Sequence, residues 1–297
     1  MILATSVGGF LSAVLTVGAF ILLGILFGIT TRIQLMELAQ LHHPLLRRLQ
    51  DEAAGTFHHS LIVGNLAERA AELVGADALL VRVGAYYHDI GKLAQPHFYL
   101  ENQVESDNPH HNLHPYASAQ KIIEHIAHGL ELARTHRLPP TVARFIPEHH
   151  GTRLVTYFYR KASLEDPVLD AAPFTYPGPK PQSRQTAIVM LADSAEAVVR
   201  SSDDRSPQRI DALVDGVIAE RLAEGQLDES DITLQDLRTI AESFKATLRA
   251  VYHPRIPYPP PTAAEERQAA AAARFLRTPP SPMDGITPPS GAAGREP

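Results

Sequence analysis

Tyr86-Tyr87-His88-Asp89-Ile90-Gly91-Lys92 closes an apolar run, Leu79-Leu80-Val81-Arg82-Val83-Gly84-Ala85. A helix that carries such a run buries most of it, which aims His88 and Asp89 into the interior or into a cleft. An ionised carboxylate there is costly unless it is paired or bound to a metal. Neutral imidazole and carboxylate suit Zn, Mn or Fe, and one Asp can bridge two ions while neighbouring His side chains each take one. A lone His-Asp pair is more often an ordinary cap or core pair. The test is whether other ligand types recur at helix-compatible positions.

They do. Upstream, Phe57-His58-His59-Ser60 opens a periodic segment with Leu61, Ile62, Leu66, Ala70 and Leu73 on one side. Downstream, His125 lies within Ile122-Ile123-Glu124-His125-Ile126, followed by Glu148-His149-His150-Gly151. Asp193 sits inside Ala187-Ile188-Val189-Met190-Leu191-Ala192-Asp193-Ser194-Ala195, where a charge needs a partner. His59, His88, Asp89, His125, His149, His150 and Asp193 thus fall on or at the ends of separate predicted helices. Such a set suits two metals that share Asp89. His149 and His150 are adjacent, and an ideal helix would splay them by about 100°. Both can ligate only if the helix ends there, which Gly151 allows.

Composition agrees with a globular core. A chain of 297 residues, 44% hydrophobic, holds one large domain or two small ones. The net charge of −6 gives no general affinity for a nucleic-acid polymer. The absence of cysteine excludes disulfides and zinc-thiolate sites and fits a reducing compartment. Fifteen histidines favour metal chemistry, while the lack of tryptophan argues against a large aromatic-lined groove.

Residues 1–31 carry no charge, and residues 10–29 have about the length and apolarity of a bilayer-spanning helix. There is no basic region before them and no clear cleavage site, so a membrane anchor is expected rather than a signal peptide. Arg32, Arg47 and Arg48 follow the run, which places its C-terminal side in the cytoplasm of a cell-membrane protein with a single span. Residues 32–54 read as an amphipathic connector broken at Pro44. The main domain, with all seven candidate ligands, is expected over residues 55–252. Within it, Asp77 is a helix N-cap after Gly75, and Pro115 and Pro207 open helices. Residues 166–183 form a long Pro/Gly-rich loop, and Thr233-Leu234-Gln235-Asp236 forms a capping box. No alternating strand pattern of useful length is present, so the fold is expected to be all-α. Residues 253–297, rich in proline and alanine, are expected to be disordered.

These segments resemble the metal-dependent phosphohydrolases of the HD-domain superfamily, most of all the membrane-bound seven-transmembrane HD family that degrades cyclic di-AMP. The resemblance rests on His43-Pro44-Leu45-Leu46, Gly55-Thr56-Phe57-His58-His59-Ser60, the run through Lys92, and Glu101-Asn102-Gln103. It continues in Ile146-Pro147-Glu148-His149-His150-Gly151-Thr152, Tyr176-Pro177-Gly178-Pro179-Lys180-Pro181 and Leu191-Ala192-Asp193-Ser194. It implies an HD-domain helical bundle after one transmembrane helix, as if only the last span of such a protein were present and a sensory input region were missing. It implies two divalent transition-metal ions, Mn or Fe, one on His59, His88, Asp89 and Asp193, the other on Asp89, His125, His149 and His150. A water activated between them would cut cyclic di-AMP to linear pApA. Asp89 and Lys92 are the catalytic candidates; Lys92, Thr152, Lys180 and Arg184 are candidate substrate contacts. A homo-oligomer stays open. So do hydrolysis of cyclic di-GMP or guanosine tetraphosphate, and a non-catalytic metal-bound nucleotide receptor, although Gly151-Thr152-Arg153 lacks the Gly-Tyr-Pro tripeptide of the cyclic di-GMP family. His58 reads as a packing residue. His42, His43, His97, His110, His111, His114, His128, His136 and His253 read as surface or loop residues.

Overall fold

The structure is a computed structural model that describes residues 2–26, 30–103, 108–252 and 260–277. Its helices are α1 (Ile2–Leu26), α2 (Arg32–Leu38), α3 (Pro44–Glu52), α4 (Ala54–Leu73), α5 (Ala78–Tyr87), α6 (Pro115–Thr135), α7 (Pro140–Ala143), α8 (Phe145–Glu148), α9 (Thr156–Ser163), α10 (Arg184–Arg200), α11 (Pro207–Ala223), α12 (Leu234–Val251) and α13 (Ala263–Arg277). Between α5 and α6 the chain makes short 3-10 turns at Ile90–Ala94, Pro96–Phe98, Leu100–Asn102 and Pro109–Asn112. Among the described residues the only β pairing is one bridge, Leu154 to Thr175. The all-α expectation holds.

Local chemistry sets the helix starts. The Asp77 side chain accepts from the Leu80 amide, satisfying one of the free donors at the start of α5. Thr233 and Asp236 form the reciprocal capping box that begins α12. Pro44, Pro115 and Pro207 stand at the openings of α3, α6 and α11, where a missing N–H costs nothing.

The central core joins α4, α5, α10, α11 and α12 through Val63, Leu66, Val81, Ile188, Met190, Val214, Ile240 and Phe244, all buried. α10 is buried almost all round, from Thr186 through Glu196. A second cluster places Leu35, Leu38, Leu45, Leu46 and Leu49 against Tyr87, Ile90 and Ile146, so the connector helices α2 and α3 contribute to the core. Removing apolar area of this kind from water is worth about 25 cal/mol per Å².

Gly91 fixes the approach of the His88-Asp89 turn to α6. A Cβ there would lie 1.8 Å from the His125 carbonyl oxygen, a clash with backbone that cannot swing aside. The turn therefore lies directly on the helix that carries His125.

Two expectations fare differently at the ends of the chain. α1 is helical over 25 residues, and Val7, Phe10, Leu11, Val14, Leu15 and Val17 are exposed on it. Among the described residues no helix is long and apolar enough to cross a membrane; within α1 the described side chains cover only residues 6–19 and 24. The tail expected to be disordered contains α13, which begins where Thr262 and Glu265 cap one another and runs through the alanine stretch. Alanine has the highest intrinsic helix propensity, and this outweighs the flanking prolines. α13 belongs to a separate compact unit, residues 254–297, of which residues 254–259 and 278–297 lie outside the described residues.

Candidate metal centre

His59 lies in the first half of α4, His88 caps α5, Asp89 follows it, His125 sits in the middle of α6, His149 caps α8, and Asp193 lies midway along α10. All six are buried, and His150 is half-buried beside them. α8 ends at Glu148, and Gly151 takes φ +55, so the chain leaves the helix at the two histidines. Their rings then face one site, with centroids 3.9 Å apart. Tyr176, from the long loop, stacks on His150 at 4.1 Å and 20°.

Asp89 divides the cluster in two. Its Oδ1 is 3.6 Å from both His125 Nε2 and His149 Nε2. Its Oδ2 is 3.2 Å from His88 Nε2 and 3.8 Å from His59 Nε2. Donor atoms of Asp89, His125, His149 and His150 lie close enough together to hold one ion, and those of His59, His88 and Asp89 to hold another. Asp193 Oδ1 joins the second group, 3.0 Å from His59 Nε2.

The backbone fixes which ring nitrogens are free. His88, His125 and His149 each donate Nδ1–H to a carbonyl one turn back, of Ala85 (2.6 Å), Ile122 (2.6 Å) and Ile146 (2.7 Å). A carbonyl only accepts, so in the neutral rings the lone pair sits on Nε2 and points into the cluster. Those three Nε2 atoms and Asp89 Oδ1 are buried without a hydrogen-bond partner. Unpartnered buried polar atoms are rare and costly, and here they converge on one another. Mixed His and carboxylate donors without sulfur fit divalent transition metals.

Electrostatics support the same reading. Burial holds His125 down to about 4, and burial together with His88 holds His149 down to about 3, so both rings are neutral and ready to ligate. Burial and the two neighbouring histidines lower His150 as well. At His59 burial opposes the charged form, but hydrogen bonds with Asp193 and Glu196 outweigh it and raise the ring to about 9. At His88 the same contest, won by Asp89 and Asp193, raises it to about 10. The carboxylates concentrate enough negative potential here to hold protons, and a divalent cation answers the same field.

The structure also shows residues that sequence reasoning missed. Glu196 is fully buried one turn beyond Asp193, and its Oε2 accepts from His59 Nδ1 at 2.6 Å. This fixes the His59 tautomer with Nε2 toward the site, as carboxylate partners do for metal-bound imidazoles. Tyr252 and Arg200 hold the same carboxylate. Glu196→Gln should lower affinity for the ion on His59 about 10- to 100-fold. Competition with a coloured chelator would read this, and unchanged affinity would show that the carboxylate does not tune the ring.

The candidate substrate contacts separate. Lys92 Nζ sits between Asp89 Oδ2 and Glu101 Oε1, 2.7 Å from each. The Thr152 amide donates to Gln226 Oε1 at 3.0 Å, holding the turn after His150. Lys180 is 3.9 Å from Asp228. Arg184 donates to the carbonyls of Val74 and Asp231, tying the start of α10 to two loops rather than reaching toward a ligand. His58 is exposed, against the packing role expected of it. His110 departs from the expected surface role, being only 8% exposed.

The HD-domain family matches residues 56–198, a span that contains every ligand candidate from His59 to Asp193. Two relatives named cyclic-di-AMP phosphodiesterase PgpH are similar well beyond it. That of Bacillus subtilis strain 168 is 46% identical over 253 residues, covering 85% of this chain and 36% of the relative. That of Listeria monocytogenes serotype 1/2a is 43% identical over 252 residues, covering 85% and 35%. The crystal structure of the L. monocytogenes PgpH HD domain matches with TM-score 0.69 and 42% identity, over 71% of this chain and all of that one. The crystal structure of that domain in complex with cyclic-di-AMP also gives 0.69, with 44% identity over 73% and 100%. The chain belongs to the HD-domain family. The chain spans about a third of the length of the PgpH relatives it matches.

Proposed function

We propose that the chain hydrolyses cyclic di-AMP to linear pApA at a site holding two divalent metal ions, Mn or Fe, on the cytoplasmic face of a membrane. The observation that carries this reading is the division of Asp89, whose two oxygens each face a different group of histidines. His59, His88, Asp89 and Asp193 would hold one ion, and Asp89, His125, His149 and His150 the other. When bound, the ions supply Lewis acidity toward a phosphodiester and lower the pKa of an attacking water.

The chain's own residues prepare that chemistry. The Ala85, Ile122 and Ile146 carbonyls hold three rings with Nε2 aimed inward before any ligand arrives. Such preorganisation avoids reorientation during the reaction. Lys92 neutralises part of the Asp89 charge and holds its Oδ2 in place. Tyr176 backs His150 and keeps its ring from swinging away. The substrate is supported by the relatives' activity and by the neighbour structure in complex with cyclic-di-AMP.

In water labelled with heavy oxygen, the Mn-loaded chain should give pApA with the label in its 5′ phosphate, since the attacking oxygen at a two-metal site would come from water rather than from a side chain. Equal turnover of cyclic di-GMP would defeat the substrate assignment, and no cleavage of any cyclic dinucleotide or nucleotide phosphate would defeat the hydrolase. The membrane part of the reading rests on the uncharged residues 1–31 and the exposed apolar side chains of α1. Full-length chain should then stay with membranes through high-salt and alkaline washes; release in either wash would remove the anchor.

A further inference from the structure

The carboxylate that fixes His59 is itself fixed from farther away. Glu196 is fully buried, and its two oxygens have different partners. Oε2 accepts from His59 Nδ1 at 2.6 Å, and Oε1 accepts from the Tyr252 hydroxyl at 2.8 Å. Arg200 Nε lies 3.2 Å from both oxygens. An equal bond to each oxygen offsets the buried charge but does not choose the rotation of the carboxylate plane. The last torsion of a glutamate is broad and roughly two-fold, so a partner on one named oxygen selects its angle. On the side away from His59, that partner is Tyr252.

Tyr252 is held in place from two directions. It closes α12, with its amide donating to the carbonyl of Leu248 at 2.9 Å, and Leu248 is buried in the central core. Its ring packs against that core and lies under the Arg205 guanidinium, 5.2 Å from the ring centroid. Arg205 in turn donates to the carbonyls of Arg200 and Ser202, at 2.7 and 3.1 Å. The phenol is thus placed both by the last turn of α12 and by the chain that leaves α10.

We propose that Tyr252 is a positioning residue of the metal centre: acting through Glu196, its hydroxyl sets the His59 ring so that Nε2 faces the ion. The proposal rests on the two-metal reading for the identity of the ion, and deepens it by extending the centre to the end of α12. Burial of Glu196 calls only for a countercharge, which Arg200 supplies; the tyrosine adds direction. A hydrogen bond to an ionised group is short and strong, so one hydroxyl suffices to bias the plane. Partners behind a metal-bound imidazole orient the ring and raise its basicity. Without the hydroxyl, Oε1 keeps only Arg200, and the carboxylate is free to turn away from Nδ1.

Tyr252→Phe removes the hydroxyl and keeps the ring under Arg205, so the fold is retained. With Mn titrated into the full chain against a coloured chelator, affinity for the ion on His59 should fall about 3- to 10-fold, less than in Glu196→Gln because Tyr252 acts one bond further out. The ion on His125, His149 and His150 should keep its affinity. Added to Glu196→Gln, the same substitution should cost nothing more, since the two residues act in series. A second measurement needs no metal: the His59 Nδ1 proton, held in a 2.6 Å bond, should give a low-field NMR resonance that shifts or broadens in Tyr252→Phe. Unchanged Mn affinity in Tyr252→Phe overturns the proposal. So does equal weakening of both ions, or a loss that persists in full in Glu196→Gln, because each marks a hydroxyl that only stabilises the fold. If the native chain binds no Mn, the metal reading fails and the resonance decides: an unmoved signal overturns the hold of Tyr252 on His59, and a moved one supports it.

Discussion

Asp89→Ala should strip both metal positions at once, taking the metal content from about two ions per chain to near none and turnover below detection. The expectation follows from geometry: Oδ1 faces His125 and His149, and Oδ2 faces His88 and His59. A bridging ligand holds two ions in place and sets their spacing, which is the feature a two-metal displacement depends on. His125→Ala, by contrast, should weaken only the ion on its own side. Elemental analysis after gel filtration distinguishes the two variants. If Asp89→Ala keeps one ion firmly bound, Asp89 serves a single site and the bridge is wrong. Asp89→Asn guards against a folding failure, since it preserves shape while removing the charge that both ions need.

The sequence carried the ligands because their signals are local. A charged or imidazole side chain inside an apolar run is conspicuous in one dimension, and Asp193 amid eight uncharged neighbours in α10 is the clearest instance. Helix starts were legible for the same reason: Asp77, Pro115, Pro207 and the Thr233–Asp236 box act over three or four residues. The pairing of His149 with His150 was legible too, through the glycine that ends the helix.

What could not be read depends on distant pairs. Glu196 serves His59 across 137 positions, and nothing nearby marks it as different from a surface glutamate on α10. The Phe98, His110 and Phe158 rings come from three separate segments, so a count of aromatics gave no hint that they meet. Arg184 looked available because its acceptors are backbone carbonyls of Val74 and Asp231, which have no signature in sequence at all. The connector helices are amphipathic in sequence, but their burial against Tyr87 and Ile146 follows from packing that no periodicity specifies.

Lys92 is where the sequence reading and the geometry point to different experiments. As a phosphate contact, its removal should raise KM and leave the fold alone. The structure instead places its ammonium 2.7 Å from two buried carboxylates, with the Lys92 side chain 13% exposed. Burial opposes the lysine's charge, but Asp89 and Glu101 outweigh it, and Lys92 in turn helps hold Glu101 down to about 2. Lys92→Met would leave two buried negative charges facing each other across the turn. Removing one partner of a buried ion pair costs about 3–5 kcal/mol. Denaturant unfolding of the metal-free chain should therefore show a loss of that size, far above the effect of a surface substitution. Adding Glu101→Gln to the same chain should recover part of it, because one of the stranded charges is gone, and metal loading should recover more by compensating Asp89. If Lys92→Met unfolds at the native denaturant midpoint and changes only KM for the dinucleotide, the ion pair is incidental and the lysine belongs to the substrate.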